Sequence, residues 1–423
     1  MKRIVSLCLC LCLVFALAGC NNKEAESAST LQVGFGRTDI TPQSSVQLMG
    51  YFQDNIRWST TVLDPLYATC LAFTDADGNT VLQFTVDLCS PTGTVLAFSR
   101  KAISKETGID INNIMISCTH THSGPWIGST DITMEKYNDF LEEQLIVAAK
   151  DALADRKAAE MYTTTTHLDK MNFVRHYRLD DGSVAGPNFG DDTGKTYVKH
   201  VKDADNEMQL IRFKREGGKD ILLVNWQVHP LRTGGDLSGD ISADLVGAMR
   251  MALEPEMGCY MAYFTGASGD LMPTSYLPNE QMGLDYLEQG ALMAQEAITA
   301  CDTMVKRNTG KVQILRADQE VVKSGATTEI LTYAYSIGDV AFIVASYEMF
   351  DTNGKFIKDN SPFDMTVIAS CSNTHNMYVA AEWAYNYGDI VAYEVRNGGF
   401  EKGTGEQLAD GFVDMLNQLY PTK

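Results

Sequence analysis

Ile114-Met115-Ile116-Ser117-Cys118-Thr119-His120-Thr121-His122-Ser123-Gly124-Pro125 sets a short apolar run directly before a polar segment that carries two histidines. The apolar part reads as a buried strand, and Ser123-Gly124-Pro125 as the loop beyond it. Two imidazoles therefore stand where a strand ends. In extended backbone, residues two apart project to the same side, so His120 and His122 are expected to face one cavity. That arrangement suits a metal ion, and the same letters also describe a polar turn with two solvated histidines. Other segments have to decide.

Working outward, further short β-rich runs are expected as buried strands at Tyr67 to Phe73, Val81 to Val86, Ile221 to Val228, Tyr260 to Phe264, Val340 to Ala345 and Met365 to Ala369. Amphipathic helical spacing runs over Tyr137 to Ala154, Ala243 to Leu253, Asn279 to Ala300 and Glu406 to Leu419. The alternation predicts an α/β fold, a single large mixed-sheet domain of metallohydrolase type over residues 31–423. His120, His229 and Glu348 each follow a predicted strand. Open α/β sheets bind ligands at the carboxyl ends of their strands, so segments distant in sequence can converge there.

The N-terminus begins with Lys2 and Arg3, runs apolar from Ile4 to Ala18 and closes on Leu17-Ala18-Gly19-Cys20. It reads as a lipoprotein signal over residues 1–19, with Cys20 the lipid-modified first residue of the mature chain; an uncleaved membrane anchor is the alternative. Residues 20–30 are rich in Asn, Glu, Ala and Ser and read as a flexible tether. The mature protein is expected outside the cytoplasm, lipid-anchored to a bacterial cell membrane. Removing the signal takes away two positive charges and no negative one, so the formal charge of −20 becomes −22. Such a chain is a poor partner for nucleic acid. Six cysteines remain beyond Cys20, namely Cys70, Cys89, Cys118, Cys259, Cys301 and Cys371, widely spaced and without a Cys-x-x-Cys pair; they read as buried thiols, although export permits disulfides. The sequence assigns no oligomeric state.

His229 stands in Val224-Asn225-Trp226-Gln227-Val228-His229-Pro230, before a proline that favours extended backbone at the residue preceding it. Alone it reads more readily as a core histidine than as a ligand. Four further segments join it: Gly34-Phe35-Gly36-Arg37-Thr38-Asp39-Ile40-Thr41-Pro42 with Met49-Gly50-Tyr51, then Ser346-Tyr347-Glu348-Met349-Phe350, then Asn373 to Tyr378-Val379, then Tyr393-Glu394 through Gly403-Thr404-Gly405-Glu406. With the Thr-His-Thr-His-Ser-Gly-Pro run, their order and spacing resemble the neutral/alkaline non-lysosomal ceramidase family over nearly the whole mature chain. The resemblance implies a zinc-dependent amidase. It places the metal on His120, His229, Glu348 and Tyr378, with His122 beside it as a proton shuttle or oxyanion donor, and Arg175 and Tyr393 facing substrate. Imidazoles and a carboxylate are ordinary zinc ligands, and a phenolate can join them if the cation lowers its pKa. Zinc with an open position brings water to a pKa of ~7 and polarises an amide carbonyl. Each residue also has a plainer reading: Glu348 as a helix-start carboxylate, Tyr378 as core, and Arg175 or Arg178 as a solvated charge beside the Asp180-Asp181-Gly182 turn.

Two departures from the family pattern stand out. In Gly266-Ala267-Ser268-Gly269-Asp270-Leu271-Met272-Pro273-Thr274, Met272 takes the place of the serine in the family's Gly-Asp-x-Ser-Pro-Asn motif. A thioether cannot attack a carbonyl. If that serine were the nucleophile the chain would be inert; if activated water attacks, the change alters only positioning. Family members of full length also carry a C-terminal immunoglobulin-like domain, whereas this sequence stops at Lys423. Hydrolysis of ceramide or a related N-acylated lipid is thus the leading expectation, with the membrane reached through Cys20. A silent binding lipoprotein on the same fold, or a metallohydrolase for another amide or ester, are the alternatives.

Overall fold

The computed structural model describes residues 31–51, 56–234 and 238–420; Cys20 and the signal lie outside them. The main sheet uses β1 (Gln32–Asp39), β2 (Tyr67–Thr74), β3 (Thr80–Val86), β4 (Ile114–Cys118), β5 (Lys157–His167), β6 (Glu207–Arg215), β7 (Ile221–Trp226) and β8 (Tyr260–Thr265). Its order is β8-β7-β6-β5-β1-β2-β3-β4, with a short strand at Val305–Arg307 also pairing with β5. The two end pairs, β7 with β8 and β3 with β4, are parallel, and the pairs between them are antiparallel. A second sheet runs β9 (Val312–Lys323), β10 (Ala326–Ile337), β11 (Val340–Val344) and β12 (Met365–Ala369), and its last pair is parallel.

Both faces of the main sheet are covered, which is why its strands read as continuous apolar runs. Along β2, Ala68, Cys70 and Ala72 point to a core under α1 (Val95–Thr107) and α2 (Ile132–Ala154), while Leu71 and Phe73 point to the second sheet. Helices α3 (Asp244–Met257) and α4 (Tyr286–Ala300) cover β6 to β8 through Leu245, Met249 and Met293. The outer face of the second sheet is covered by α5 (Asp351–Asn360) and α6 (Thr404–Leu419), the latter through Leu408, Phe412 and Leu416. The architecture is a mixed α/β stack of four layers, helix, sheet, sheet, helix.

Gly34 and Gly36 of the first motif let α2 lie directly on β1. A Cβ at Gly36 would stand 2.1 Å from the Ala148 carbonyl oxygen and 2.8 Å from the Ala152 nitrogen. Both neighbours are backbone and cannot swing away. Gly36→Val is therefore expected to cost about 3 kcal/mol of unfolding free energy by forcing the layers apart, measured by urea titration; an unchanged midpoint would contradict this packing. Arg37 in the same motif donates to Glu254 of α3 and to the Met261 carbonyl of β8 at 2.6 Å. The conspicuous first motif thus builds the scaffold.

The ends of the main sheet approach one another, although no ladder joins β4 to β8 among the described residues. Thr265 Oγ1 at the end of β8 donates to the Thr119 carbonyl beyond β4 at 2.7 Å. The segment leaving β12 fills the gap: Ser370 N donates to Thr265 O on one side, while Cys118 N donates to Cys371 O and Asn373 N to Ile116 O on the other. Asn225 fastens the two sheets, its amide nitrogen donating to Phe264 O and Ile368 O and its oxygen accepting from Ile368 N. The carboxyl ends of β4, β7, β8, β11 and β12 consequently gather at one place.

Several expected boundaries move. The strand expected over Ile221 to Val228 stops at Trp226, because Gln227 turns its side chain to the Asp205 and Glu207 carbonyls. The helix expected from Asn279 begins at Tyr286, where Asp285 and Glu288 form a capping box; Pro278–Glu280 is a separate single turn. Among the described residues no helix is long and apolar enough to cross a membrane.

Candidate metal centre

His120 is not in extended backbone. Its φ is 70°, in the left-handed region, so the expected reason for convergence fails even though the side chains converge. Backbone hydrogen bonds impose the turn: Thr119 N donates to Val86 O and His120 N to Leu88 O. The ring then donates from Nδ1 to the Cys89 carbonyl at 2.7 Å. A carbonyl only accepts, so Nδ1 carries the proton and Nε2 keeps a lone pair.

His122 reaches the same place from the next turn, with His122 Nε2 3.4 Å from His120 Nε2. Its carbonyl accepts from Arg57 at 2.6 Å, and its amide donates to Pro230 O, which ties it to the His229 segment. Gly50 packs against it at φ +121°, where a Cβ would lie 2.5 Å from the His122 Cβ. That contact explains the glycine of Met49-Gly50-Tyr51.

His229 follows β7 and is fully buried. Its Nδ1 donates to Ser268 O at 2.7 Å, again leaving Nε2 as the lone-pair atom. Glu348 sits in a two-residue parallel ladder, Glu348–Met349 against Tyr378–Val379, three residues before α5, so it is a strand residue rather than a helix-start carboxylate. Its Oε2 lies 3.4 Å from His120 Nε2 and 3.3 Å from His229 Nε2. Both His229 Nε2 and Glu348 Oε2 are buried without a hydrogen-bond partner, a costly arrangement for a carboxylate unless something else binds it. Burial, and then His120, holds the His229 pKa down to about 4, and burial with both neighbouring imidazoles holds His122 well below the ordinary histidine range. Burial alone would raise Glu348, but His120 and His229 outweigh it and hold it well below the usual carboxylate range. Burial alone would lower His120, but Cys371 and Glu348 outweigh it and hold its pKa well above the ordinary histidine range, so a cation at its Nε2 would displace a proton. Two carbonyl-oriented imidazoles, His229 neutral and His120 giving up its Nε2 proton on binding, plus an ionised carboxylate make a donor set that fits a divalent cation such as zinc.

Tyr378 is register partner to Glu348 in this ladder. Beside it stand Tyr393, with ring centroids 5.7 Å apart, and Arg175, whose guanidinium lies 5.4 Å from the Tyr378 ring and 5.8 Å from the Tyr393 ring. Arg175 is buried, whereas Arg178 is exposed and donates to the Gly182 carbonyl of the expected turn. The buried charge is balanced by Glu394, which accepts from Arg175 Nε at 2.6 Å and pairs with His176 Nε2 at 2.9 Å. Burial would raise Glu394, but Arg175 and His176 overcome it and hold the pKa at about 2. His176 and Glu394 were not singled out from the sequence. Their adjacency to Arg175 and Tyr393 within apolar surroundings was the available signal.

Residues 31–269 match the neutral/alkaline non-lysosomal ceramidase N-terminal family, which is more than half of the 423 residues. The chain belongs to the neutral/alkaline non-lysosomal ceramidase family. Neutral ceramidase B of Dictyostelium discoideum is 28% identical over 169 residues, 37% of this chain and 23% of that protein, so the match spans about a quarter of the curated relative. Among solved structures, neutral ceramidase from Pseudomonas aeruginosa superposes with a TM-score of 0.73 at 16% identity, covering 93% of this chain and 76% of that one. A ceramidase complexed with C2 gives 0.74 at 15% identity with the same coverage. At these identities the superpositions establish the shared fold, in agreement with the α/β architecture described above.

Within this ceramidase fold, the Gly266 to Thr274 segment acts through two backbone groups and the Asp270 carboxylate. Ser268 O orients His229, Gly269 N donates to Met349 O, and Asp270 Oδ1 accepts from the first amide of α5. Met272 is half-buried in a two-residue ladder opposite Phe173. Ser268 Oγ is buried without a partner.

Proposed function

We propose that this ceramidase-family chain is a zinc-dependent hydrolase of N-acyl bonds, with ceramide or a related N-acyl lipid as substrate. The observation that carries the reading is the meeting of two carbonyl-oriented imidazole lone pairs with the partnerless Glu348 oxygen. His120, His229 and Glu348 would hold the ion, with Tyr378 as a further ligand. Zinc there would supply Lewis acidity to an amide carbonyl and to the attacking water.

The remaining residues deal with binding and protons. Hydrolysis adds water across the C–N bond, so the carbonyl carbon gains an oxygen and the departing nitrogen gains a proton. His122, kept neutral by burial and with Nδ1 free of any hydrogen bond, is placed to accept a proton from water and return it to that nitrogen. Arg175 is positively charged and fixed by Glu394 and by the Gly269 carbonyl; it aligns Tyr378 and Tyr393, and Tyr393 is the half-buried member that substrate reaches. Activation of the attacking water would fall to an ion held by His120, His229 and Glu348, so Met272 in place of serine would alter fit and leave that chemistry intact. Residues 31–423 act as one catalytic domain tethered outside the cytoplasm by a lipid on Cys20.

The test is fatty-acid release, followed by mass spectrometry, from a panel of ceramide, an N-acyl amino acid and a fatty-acyl ester. Turnover of the ceramide or another N-acyl member is expected. Binding of all three without turnover of any would instead make the chain a silent binding protein, the reading that Met272 would then favour. Release from the ester alone would make it an esterase on this scaffold.

A further inference from the structure

The hydrolytic reading leaves Cys89 without a task for its thiol. Cys89 lies in the loop after β3, anchored where Asp87 receives both terminal nitrogens of Arg250 at 2.9 and 3.0 Å and where Leu88 O receives His120 N. Its carbonyl orients His120. Its sulfur, in a residue 3% exposed, forms with one nitrogen each of His120 and His122 a group whose potential ligand atoms all lie within 4.8 Å of one another. Among the described residues this is one of two such groups, the other being His120, His229 and Glu348. His122, 8% exposed, faces His120 Nε2 with its own Nε2 at 3.4 Å, and its Nδ1 is buried without a hydrogen bond.

The two groups differ in chemical character. A thiolate with two imidazoles favours soft ions, while a carboxylate with two imidazoles suits harder ones. They also share His120, whose Nδ1–H is engaged by Cys89 O and whose single lone pair is therefore on Nε2. One nitrogen lone pair serves one ion at a time.

We propose that Cys89, His120 and His122 form a second cation position, selective for thiophilic ions such as Cd2+, which competes with the hydrolytic metal for His120. Binding exchanges the Cys89 S–H bond for an S–Cd bond and releases one proton to solvent, with no change of oxidation state. An ion in this position takes His120 from the Glu348 group and His122 from proton transfer, so hydrolysis stops while the fold persists.

The test is titration of the purified protein as isolated with Cd2+, following thiolate-to-cadmium absorption in the ultraviolet, with zinc release and fatty-acid release measured in the same samples. One cadmium per chain with a thiolate band, accompanied by loss of zinc and of hydrolysis, is expected. Cys89→Ser should weaken cadmium affinity at least tenfold and remove the band, His122→Gln should weaken affinity while keeping it, and Cys371→Ser should leave it in place, even though Cys371 Sγ lies 3.4 Å from His120 Nδ1. Cadmium binding without a thiolate band, or a band that survives Cys89→Ser, would overturn the site. A band with zinc and hydrolysis both retained would overturn the competition. The absorption readout needs no turnover, so its failure is distinguishable from failure of the hydrolase reading.

Discussion

On the proposed reading, Glu348→Gln is expected to abolish metal binding and to lower kcat/KM by about 10³-fold or more, because the Lewis acid Glu348 would help to hold would supply several kcal/mol of transition-state stabilisation. Glutamine keeps the shape and removes the charge. The Glu348 Oε2 atom has no hydrogen-bond partner to lose, and Glu348 itself is 4% exposed. Unfolding free energy of the metal-free protein should therefore change by less than about 2 kcal/mol. Metal analysis, steady-state kinetics and urea titration on one preparation separate the two effects. A variant that kept its metal and its rate would remove Glu348 from the site.

Arg175→Met should fail in the opposite manner, through the fold as well as the chemistry. Its guanidinium and the Glu394 carboxylate are both buried, with side-chain exposures of 7% and 0%. Removing one partner strands the other, at a cost of about 3–5 kcal/mol. His176 alone then faces Glu394. Arg175→Met with Glu394→Leu removes both charges and should recover most of the lost stability, yet hydrolysis should stay depressed because Tyr378 and Tyr393 have lost the cation between them. Stability restored together with activity would reduce Arg175 to a structural residue. Thermal unfolding and kcat for the four proteins of this cycle decide it.

What could be read from the sequence followed from burial. Runs such as Ile221 to Trp226 and Val340 to Val344 lie in sheets covered on both faces, so they appear as unbroken apolar segments. The long hairpin of β9 and β10 leaves no apolar run in the sequence, because its outer half alternates with charged residues such as Asp318 and Glu320 and looks like surface. Its turn was nonetheless legible: Ser324 and Gly325, both at positive φ, are a two-residue hairpin signal. Among the site residues, no periodicity joins His120, His229, Glu348 and Tyr378; only the family resemblance gathered them. What brings them into one place is the approach of β4 to β8 around the Ser370 to Asn373 segment, a consequence of tertiary packing that no local pattern encodes. His120 shows the limit most clearly, since its left-handed backbone is set by hydrogen bonds from Thr119 N to Val86 O and from its own amide to Leu88 O, carbonyls far from it in sequence.

The most direct test of the metal-centre reading is the zinc content of the purified protein by elemental analysis, beside His120→Ala, with fatty-acid release from a fluorescent ceramide measured on both. About one zinc per chain is predicted, lost in the variant together with fatty-acid release. Fatty-acid release that persisted in His120→Ala, or a wild-type protein active without zinc, would contradict the account.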